Sequence, residues 1–332
     1  MLTWYNEIGG SMKRFIDYIK RINEVAYKNG KSTLIMTIDI IIWYIFYGAT
    51  LTDYFNYEFY NKKFKERKKY AVVRTQNKFY EKVSPSKYKE FFTIKPNFLK
   101  NFKDYIGRDY YTYDMGIDRL KEFLSKNKEF MVKPIDGLGG AGVCKVSSKS
   151  IKNIEEYRNK LESERLFLEE LIKQHKKMNN LCTSSVNTIR MMTFVNNGKS
   201  ELLYAVLRVG NGSCEVDNFH KGGMGVSIDT KRGILKGSAI DKDLNEYKRH
   251  PQTKIMFDKF EIPYFKEAKD LVLKCALINQ NIQVVGWDVA ITDKGPVLVE
   301  GNRRPGFDIV QVVSRKGRMD IMYHVLNNLN KR

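Results

Sequence analysis

Two short stretches carry the residue types that handle phosphate and metal. The first is Met131-Val-Lys-Pro-Ile-Asp-Gly-Leu-Gly-Gly-Ala-Gly-Val143. Lys133 ends a short apolar strand, and Gly137, Gly139, Gly140 and Gly142 follow it. Glycines let backbone N–H groups close on phosphate oxygens and form a nest of fixed positive dipoles. Lys133 adds a point charge against the same anion. The order rules out a P-loop, where the lysine comes after the glycines and a helix follows. It also rules out the dinucleotide fingerprint, because a strand comes next rather than a helix. An ordinary flexible hairpin loop is the plain alternative. The second stretch is an acidic hairpin. Asp288 lies in Val284-Val-Gly-Trp-Asp-Val-Ala290, and Glu300 and Asn302 end Pro296-Val-Leu-Val-Glu-Gly-Asn302. The Asp293-Lys294-Gly295 turn lays the two strands side by side. Glu300 and Asn302 are two apart and share a face. An Asp, a Glu and an Asn oxygen brought together suit Mg²⁺. A solvated edge hairpin fits less well: Val297, Leu298 and Val299 form a run of the buried-strand kind, and a carboxylate at its end needs a partner.

Two further groups could act with these. Asn187 and Arg190 stand out in the apolar strand 184–194. Arg208 is followed by Asp217-Asn218-Phe219-His220-Lys221-Gly222-Gly223. Arginines with Asn218 and a Gly-Gly can hold a transferring phosphoryl group and an oxyanion. Taken singly, each arginine reads equally as an ion-paired or surface residue.

The elements that must hold these residues can be read from apolar period and turn residues. Helices are expected at 98–105, 114–125, 151–163, 266–278 and 317–330. Strands are expected at 129–133, 142–146, 166–172, 188–194, 201–209, 222–228, 283–292 and 296–300. The first third reads as helical, with Phe15, Tyr18, Ile19 and Ile22 at helical spacing and a break with an N-cap at Gly30-Lys31-Ser32. Leu34 to Leu51 is the most apolar segment, interrupted by Asp39. Its uncharged part, 40–52, is shorter than the roughly 20 residues of a membrane span, so a buried helix is expected, with an interfacial helix as the alternative. The basic run 61–70 reads as a solvated helix face, or else as a patch for an acidic membrane or polymer.

The chain of 332 residues is long enough for two domains, and 42% apolar content makes it globular. Fifty-eight basic against 38 acidic residues give a formal charge of +20, which favours an anionic partner. Nucleic acid is not expected, since Phe64 and Tyr70 in the basic run come without a nucleic-acid-binding signature. The four cysteines are scattered, which suits reduced thiols of a cytoplasmic protein rather than disulfides or a zinc site. With four histidines and no H-E-x-x-H, a histidine-built metal site is not expected. No secretory signal is visible in the first residues.

The order of these features resembles the ATP-grasp superfamily. Glu169-Glu-Leu-Ile172, Gln174-His175, Ser185-Val-Asn-Thr-Ile-Arg190, Asp217-Asn218, Gly222-Gly223, and Gly286-Trp-Asp288 through Asn302 are similar to its sugar-transfer-associated family, over roughly 40–315. A more distant similarity is to glutamate ligases that modify the ribosome. The resemblance implies an α+β ATP-grasp fold, two α+β lobes clasping ATP, with a helical region at 1–92, a lid lobe at 93–165 and a large lobe with the metal site at 166–332. It implies ATP and Mg²⁺, two ions, as cofactors. Lys133, with Lys95 as the first nucleotide lysine, would bind phosphates, although Lys95 lacks the usual preceding acidic residue. Gly137, Gly139, Gly140 and Gly142 would form the lid. Glu169, Glu170, Leu171 and Ile172 would form the adenine-reading linker. Asp288, Glu300 and Asn302 would hold the metal, and Arg190, Arg208 and Asn218 would hold the transferring phosphoryl group. Arg303 and Arg304 add charge for an acidic substrate. The implied activity is a carboxylate–amine ligase acting through an acyl-phosphate in bacterial surface polysaccharide synthesis, with small carboxylate and amine substrates, sugar-linked in this setting. Apart from the resemblance, the basic surplus and the apolar stretch before the basic run suggest that the N-terminal helices of a cytoplasmic protein contact an anionic membrane peripherally at its inner face. A peptide or natural-product ligase, a phosphotransferase, and a non-catalytic ATP-binding partner are the alternatives.

Overall fold

The computed structural model describes residues 16–137, 142–212, 219 and 222–329. Gly139, Gly140 and Asn218 lie outside the described residues. Two antiparallel sheets organise the chain. The small sheet contains β1 (Tyr110–Thr112), β2 (Glu129–Pro134), β3 (Cys144–Ser147) and β4 (Leu166–Glu170), in the order β1-β4-β2-β3. The large sheet contains β5 (Thr188–Asn196), β6 (Lys199–Val209), β7 (Met224–Asp229), β8 (Ile234–Asp241), β9 (Glu246–Tyr247), β10 (Val284–Thr292) and β11 (Gly295–Asn302). Its order is β11-β10-β5-β6-β7-β8-β9.

Alternation along the strands sends side chains to two cores. On β10, Val285, Trp287, Val289 and Ile291 face a core completed by the helix Phe265–Ala276 and by Phe92, Phe98 and Phe102. The opposite face, with Met192, Phe194, Tyr204 and Val206, is covered by the N-terminal helices and by the helices Asp308–Ser314 and Met319–Leu329. The N-terminal helices therefore share a core with the large sheet. Gln311 fastens them to it: its side chain accepts from Ala71 N–H (2.7 Å) and donates to the Ala71 carbonyl (3.1 Å), as a strand partner would. The small sheet has its own core with the helices Ile117–Lys126 and Ile154–Ser163.

Most expected elements are present, and the departures have physical reasons. The helix expected at 98–105 starts earlier, as Lys95–Asn101, with a separate 3₁₀ turn at Lys103–Tyr105. Pro96 sits in its first turn, where a missing N–H is harmless. The Lys95 N–H donates to the Ile135 carbonyl (2.9 Å), which ties this helix to the start of the glycine loop. Asp308–Ser314 is a helix that apolar period does not reveal, because it is buried on nearly every side. β8 likewise lacks a clear strand pattern, because Gly237, at φ +73°, interrupts it.

The apolar segment after Ser32 corrects an expectation. It does form a helix, Thr33–Ile42, capped by Ser32 and extended by a π-helical turn Trp43–Tyr47. It is not buried: Met36 and Trp43 face inward and Ile40 and Tyr47 pack partly against the core, while Leu34, Ile35, Ile38, Ile41, Ile42, Ile45 and Phe46 are exposed. Its inward side also carries Asp39, which accepts from both Arg67 (2.8 Å) and Tyr54 (2.7 Å).

Candidate active site

The register of the large sheet builds an acid–base row. Asp288 on β10 lies directly opposite Glu300 on β11 and directly opposite Arg190 on β5. Residues directly opposite in an antiparallel sheet share a face, so the three side chains form one line. Arg208 on β6 pairs with Thr188, two residues along β5 from Arg190, and comes in diagonally on the same face. Asp288 is fully buried. It accepts from Arg190 Nε (2.5 Å) and Nη2 (3.1 Å) and from Arg208 Nη2 (2.9 Å). Arg208 is steadied by Thr188 Oγ1 at 3.0 Å. Both arginines thus partner the buried Asp288 carboxylate.

The two carboxyls are pushed in opposite directions. Burial pushes Asp288 up, but Arg190 and then Arg208 outweigh it and hold it at about 2. Burial, followed by Asp288 beside it, pushes Glu300 above its ordinary value. Asn302 donates to Glu300 Oε1 (3.1 Å). The donor set therefore fits Mg²⁺: hard oxygens only, one of them a carboxyl that burial and a neighbouring acid leave short of positive charge. Among the described residues no group of three His, Cys, Asp or Glu side chains is placed to hold a metal ion, so the third ligand would be the Asn302 amide.

A β-bulge turns this row toward a cleft. The β10–β11 register shifts between Asp288 and Val289, leaving Val299 as the extra residue on edge strand β11. Past it, Val299 to Arg303 form one wall of a cleft of about 640 Å³ that opens to solvent. Lys133, Gly137, Phe167 and Glu169 from the small sheet form the facing wall, and Phe92, Lys95 and Phe98 close the end. Gly301 is required here, since a Cβ on it would lie 2.5 Å from the Phe92 ring. Gly142, at φ +71°, closes the glycine loop against Pro134.

Lys95 and Lys133 meet in this cleft. Lys95 Nζ donates to the Gly137 carbonyl, and burial pulls its pKa down, partly offset by Glu300. Lys133 Nζ is bonded to Glu169 Oε2. Glu169 also accepts from Arg108 Nη2 (2.7 Å) and Nε (3.2 Å). Burial pushes Glu169 up, but Arg108 and Lys133 hold it at about 2. Arg108 then donates to the Leu298 (2.6 Å) and Val299 (3.0 Å) carbonyls at the bulge. One guanidinium thus joins the small sheet to β11. No motif in the sequence points to Arg108: besides the nearby Ile106 carbonyl, its partners are a side chain and two carbonyls distant in the chain.

The other expected residues fall as follows. Glu170 turns away from the cleft to accept from Asp109 N–H (3.0 Å), while Leu171 and Ile172 follow β4. Arg303 lines the cleft with its guanidinium on the Ser84 carbonyl. Asn187 is not in the site: its amide donates to Gln174 Oε1 (3.0 Å) and the Met178 carbonyl (2.8 Å), bracing the turn that precedes β5. Cys182 and Ser185 lie outside the cleft, 3.8 Å apart.

A cleft lined by Lys95, Lys133, Glu300 and Asn302, with Asp288 buried beside Glu300, has the residue types that could hold a nucleotide's phosphates and their metal ion. The family model for sugar-transfer associated ATP-grasp proteins matches residues 55–328, and the chain belongs to that family. No functionally curated protein sequence matches it. Among solved structures it is similar to the ATP-grasp ligase PsnB complexed with a minimal precursor, at 14% identity and TM-score 0.45, over 74% of this chain and 64% of that one. The chain thus spans less than two thirds of that ligase. It is also similar to the D-cycloserine synthetase DcsG, at 12% identity and TM-score 0.46, over 78% and 80% of the two chains. A third likeness is the D-alanine–D-alanine ligase from Bacillus anthracis, at 14% identity and TM-score 0.41, over 77% and 76%.

Proposed function

We propose that this chain is an ATP-dependent carboxylate–amine ligase that works through an acyl-phosphate. The observation that carries the reading is Glu300 and Asn302 in one cleft with Lys95 and Lys133, with Asp288, Arg190 and Arg208 in the sheet row beside Glu300. Lys133 and Lys95 would hold the ATP phosphates, with Gly137 and Gly142 at the two ends of the loop that covers them. Glu169 would sit at the nucleotide, and Leu171 and Ile172 would line the adenine with backbone groups. Mg²⁺ held by Asp288, Glu300 and Asn302, two ions being expected from the resemblance, would offset phosphate charge.

A substrate carboxylate oxygen attacks the γ-phosphorus, the bond to the bridging oxygen breaks, and ADP leaves. Arg190 and Arg208 neutralise the transferring group, as Asn218 is also expected to do. An amine nitrogen then attacks the acyl carbon, loses a proton, and expels phosphate. The protein supplies position and charge, and no nucleophilic side chain is needed.

The family's association with sugar transfer points to surface polysaccharide synthesis, with an amino acid joined to a sugar acid or another carboxylate. Arg303 at the cleft wall suits an acidic substrate. Use of ATP puts the work on the cytoplasmic side. The test is product identity. Purified protein with Mg·ATP, amino acids and uronic acids should release ADP and phosphate together with an amide of the summed mass less water. A phosphoester with no amide would make the protein a phosphotransferase and sink the ligase reading.

A further inference from the structure

The helix Thr33–Ile42 and its extension Trp43–Tyr47 turn their apolar side away from the protein. Leu34 (69% exposed), Ile35 (69%), Ile38, Ile41, Ile42, Ile45 and Phe46 (73%) recur at spacings of three and four residues. They form one stripe along four turns. A surface helix of a globular protein is arranged the other way round. Here the single acidic residue of the segment, Asp39, is turned inward and ion-paired to Arg67. The chain thus holds its polar side chain inside and presents isoleucines to the surroundings, at the cost of apolar exposure.

Cations flank the stripe. Phe64 packs on Trp43 (5.7 Å) and Tyr47 (5.6 Å), which places the basic run beside the helix's C-terminal end. Lys68 lies over the Phe64 ring at 4.5 Å, and Lys65 and Lys68 are both exposed. Arg74 caps the Tyr44 and Ile45 carbonyls at 3.0 and 2.9 Å. Tyr18, Ile19 and Tyr27 of the preceding helix, Ile16–Lys28, extend the apolar surface. The two helices meet at a bend of 118°, and no single helix among the described residues is long and apolar enough to cross a membrane. The geometry suits an element that lies in an interface rather than one that spans it.

We propose that this stripe is a docking surface for an anionic lipid bilayer, with the isoleucines entering the acyl boundary and Lys65 and Lys68 at the headgroups. The apolar stripe supplies the anchoring area, and the basic flank selects the charge of the surface.

The test is flotation of the full chain with vesicles of phosphatidylcholine alone or mixed with phosphatidylglycerol. The wild-type protein should float with the mixed vesicles and far less with the neutral ones. Replacing Ile38→Ser and Ile42→Ser, both already exposed, should lower partitioning by roughly tenfold or more. Lys65→Gln with Lys68→Gln should lower it by about fivefold per residue, and only for anionic vesicles. Equal binding to neutral vesicles would overturn the charge selection. A stable dimer in solution that the isoleucine changes dissolve, with no flotation, would overturn the proposal by making a second copy the occupant.

Discussion

Replacing Arg108 with methionine keeps most of the side chain's volume and removes its charge. Arg108 and Glu169 are almost completely enclosed, at 2% and 3% side-chain exposure. A carboxyl held at about 2 instead of its ordinary 4.5 is worth about 3 kcal/mol to the fold at neutral pH. Arg108 is the larger of the two favourable influences on it, and it also serves the Leu298 and Val299 carbonyls. Breaking a buried pair from one side generally costs roughly 3–5 kcal/mol. The Arg108→Met protein should therefore unfold about 3 kcal/mol more easily. Lys121, whose partner Asp118 is 94% exposed, should cost under about 0.5 kcal/mol when changed to methionine. Urea unfolding followed by tryptophan fluorescence reports the difference through Trp287, buried in the adjoining core. The pH dependence gives an independent check. The favourable contribution of Glu169 is fully present above about pH 4.5 and is lost as pH falls through about 2. Without Arg108, burial dominates, so the acid loss of stability should begin at higher pH. A cost below about 1 kcal/mol, with an unchanged acid limb, would refute this account of the joint between the sheets.

Four more outcomes follow from the same geometry. Glu300→Gln should abolish turnover while leaving the fold intact by circular dichroism, because the amide keeps the shape and loses the anionic ligand. Lys133→Met should weaken ATP binding by roughly 10- to 100-fold in calorimetry, the scale of a lost hydrogen bond to a charged group. Gly301→Ala should cost about 1–3 kcal/mol in urea unfolding and lower nucleotide affinity, since its Cβ would meet the Phe92 ring at 2.5 Å. Asn187→Ala should destabilise by about 1–3 kcal/mol with little change in ATP affinity, because the amide braces a turn away from the cleft.

The metal hairpin is legible in the sequence because its signals are local. The Asp293-Lys294-Gly295 turn lays the two strands side by side and two-residue spacing puts Glu300 and Asn302 on one face, but the turn register alone would set Val299 opposite Asp288, and the bulge at Val299 brings Glu300 there instead. Lys133 and the glycines are legible for the same reason. What the arginines do is not. Arg190 and Arg208 read in sequence as isolated charges, and only the pairing of β5 with β10 and β6 shows that both neutralise Asp288. Asn187 misleads in the opposite direction: its type suggests a ligand contact, whereas its amide N–H groups are spent on the turn that precedes β5. The apolar helix after Ser32 shows a limit of periodicity. The sequence marks an apolar stripe but not which way it faces, and here the ion pair of Asp39 decides that it faces out. Arg108 carries no local signal, since the partners that make it a joint, Glu169, Leu298 and Val299, lie far away in sequence.

The most direct test of the central claim is a hydroxylamine trap. The protein is incubated with Mg·ATP, hydroxylamine, and a panel of amino acids and uronic acids, and hydroxamate is measured together with ADP. The account predicts a hydroxamate with one carboxylate of the panel, formed in proportion to ADP and absent in Glu300→Gln. ADP released in step with a carboxylate from the panel, with no hydroxamate, would contradict acyl-phosphate chemistry in this cleft.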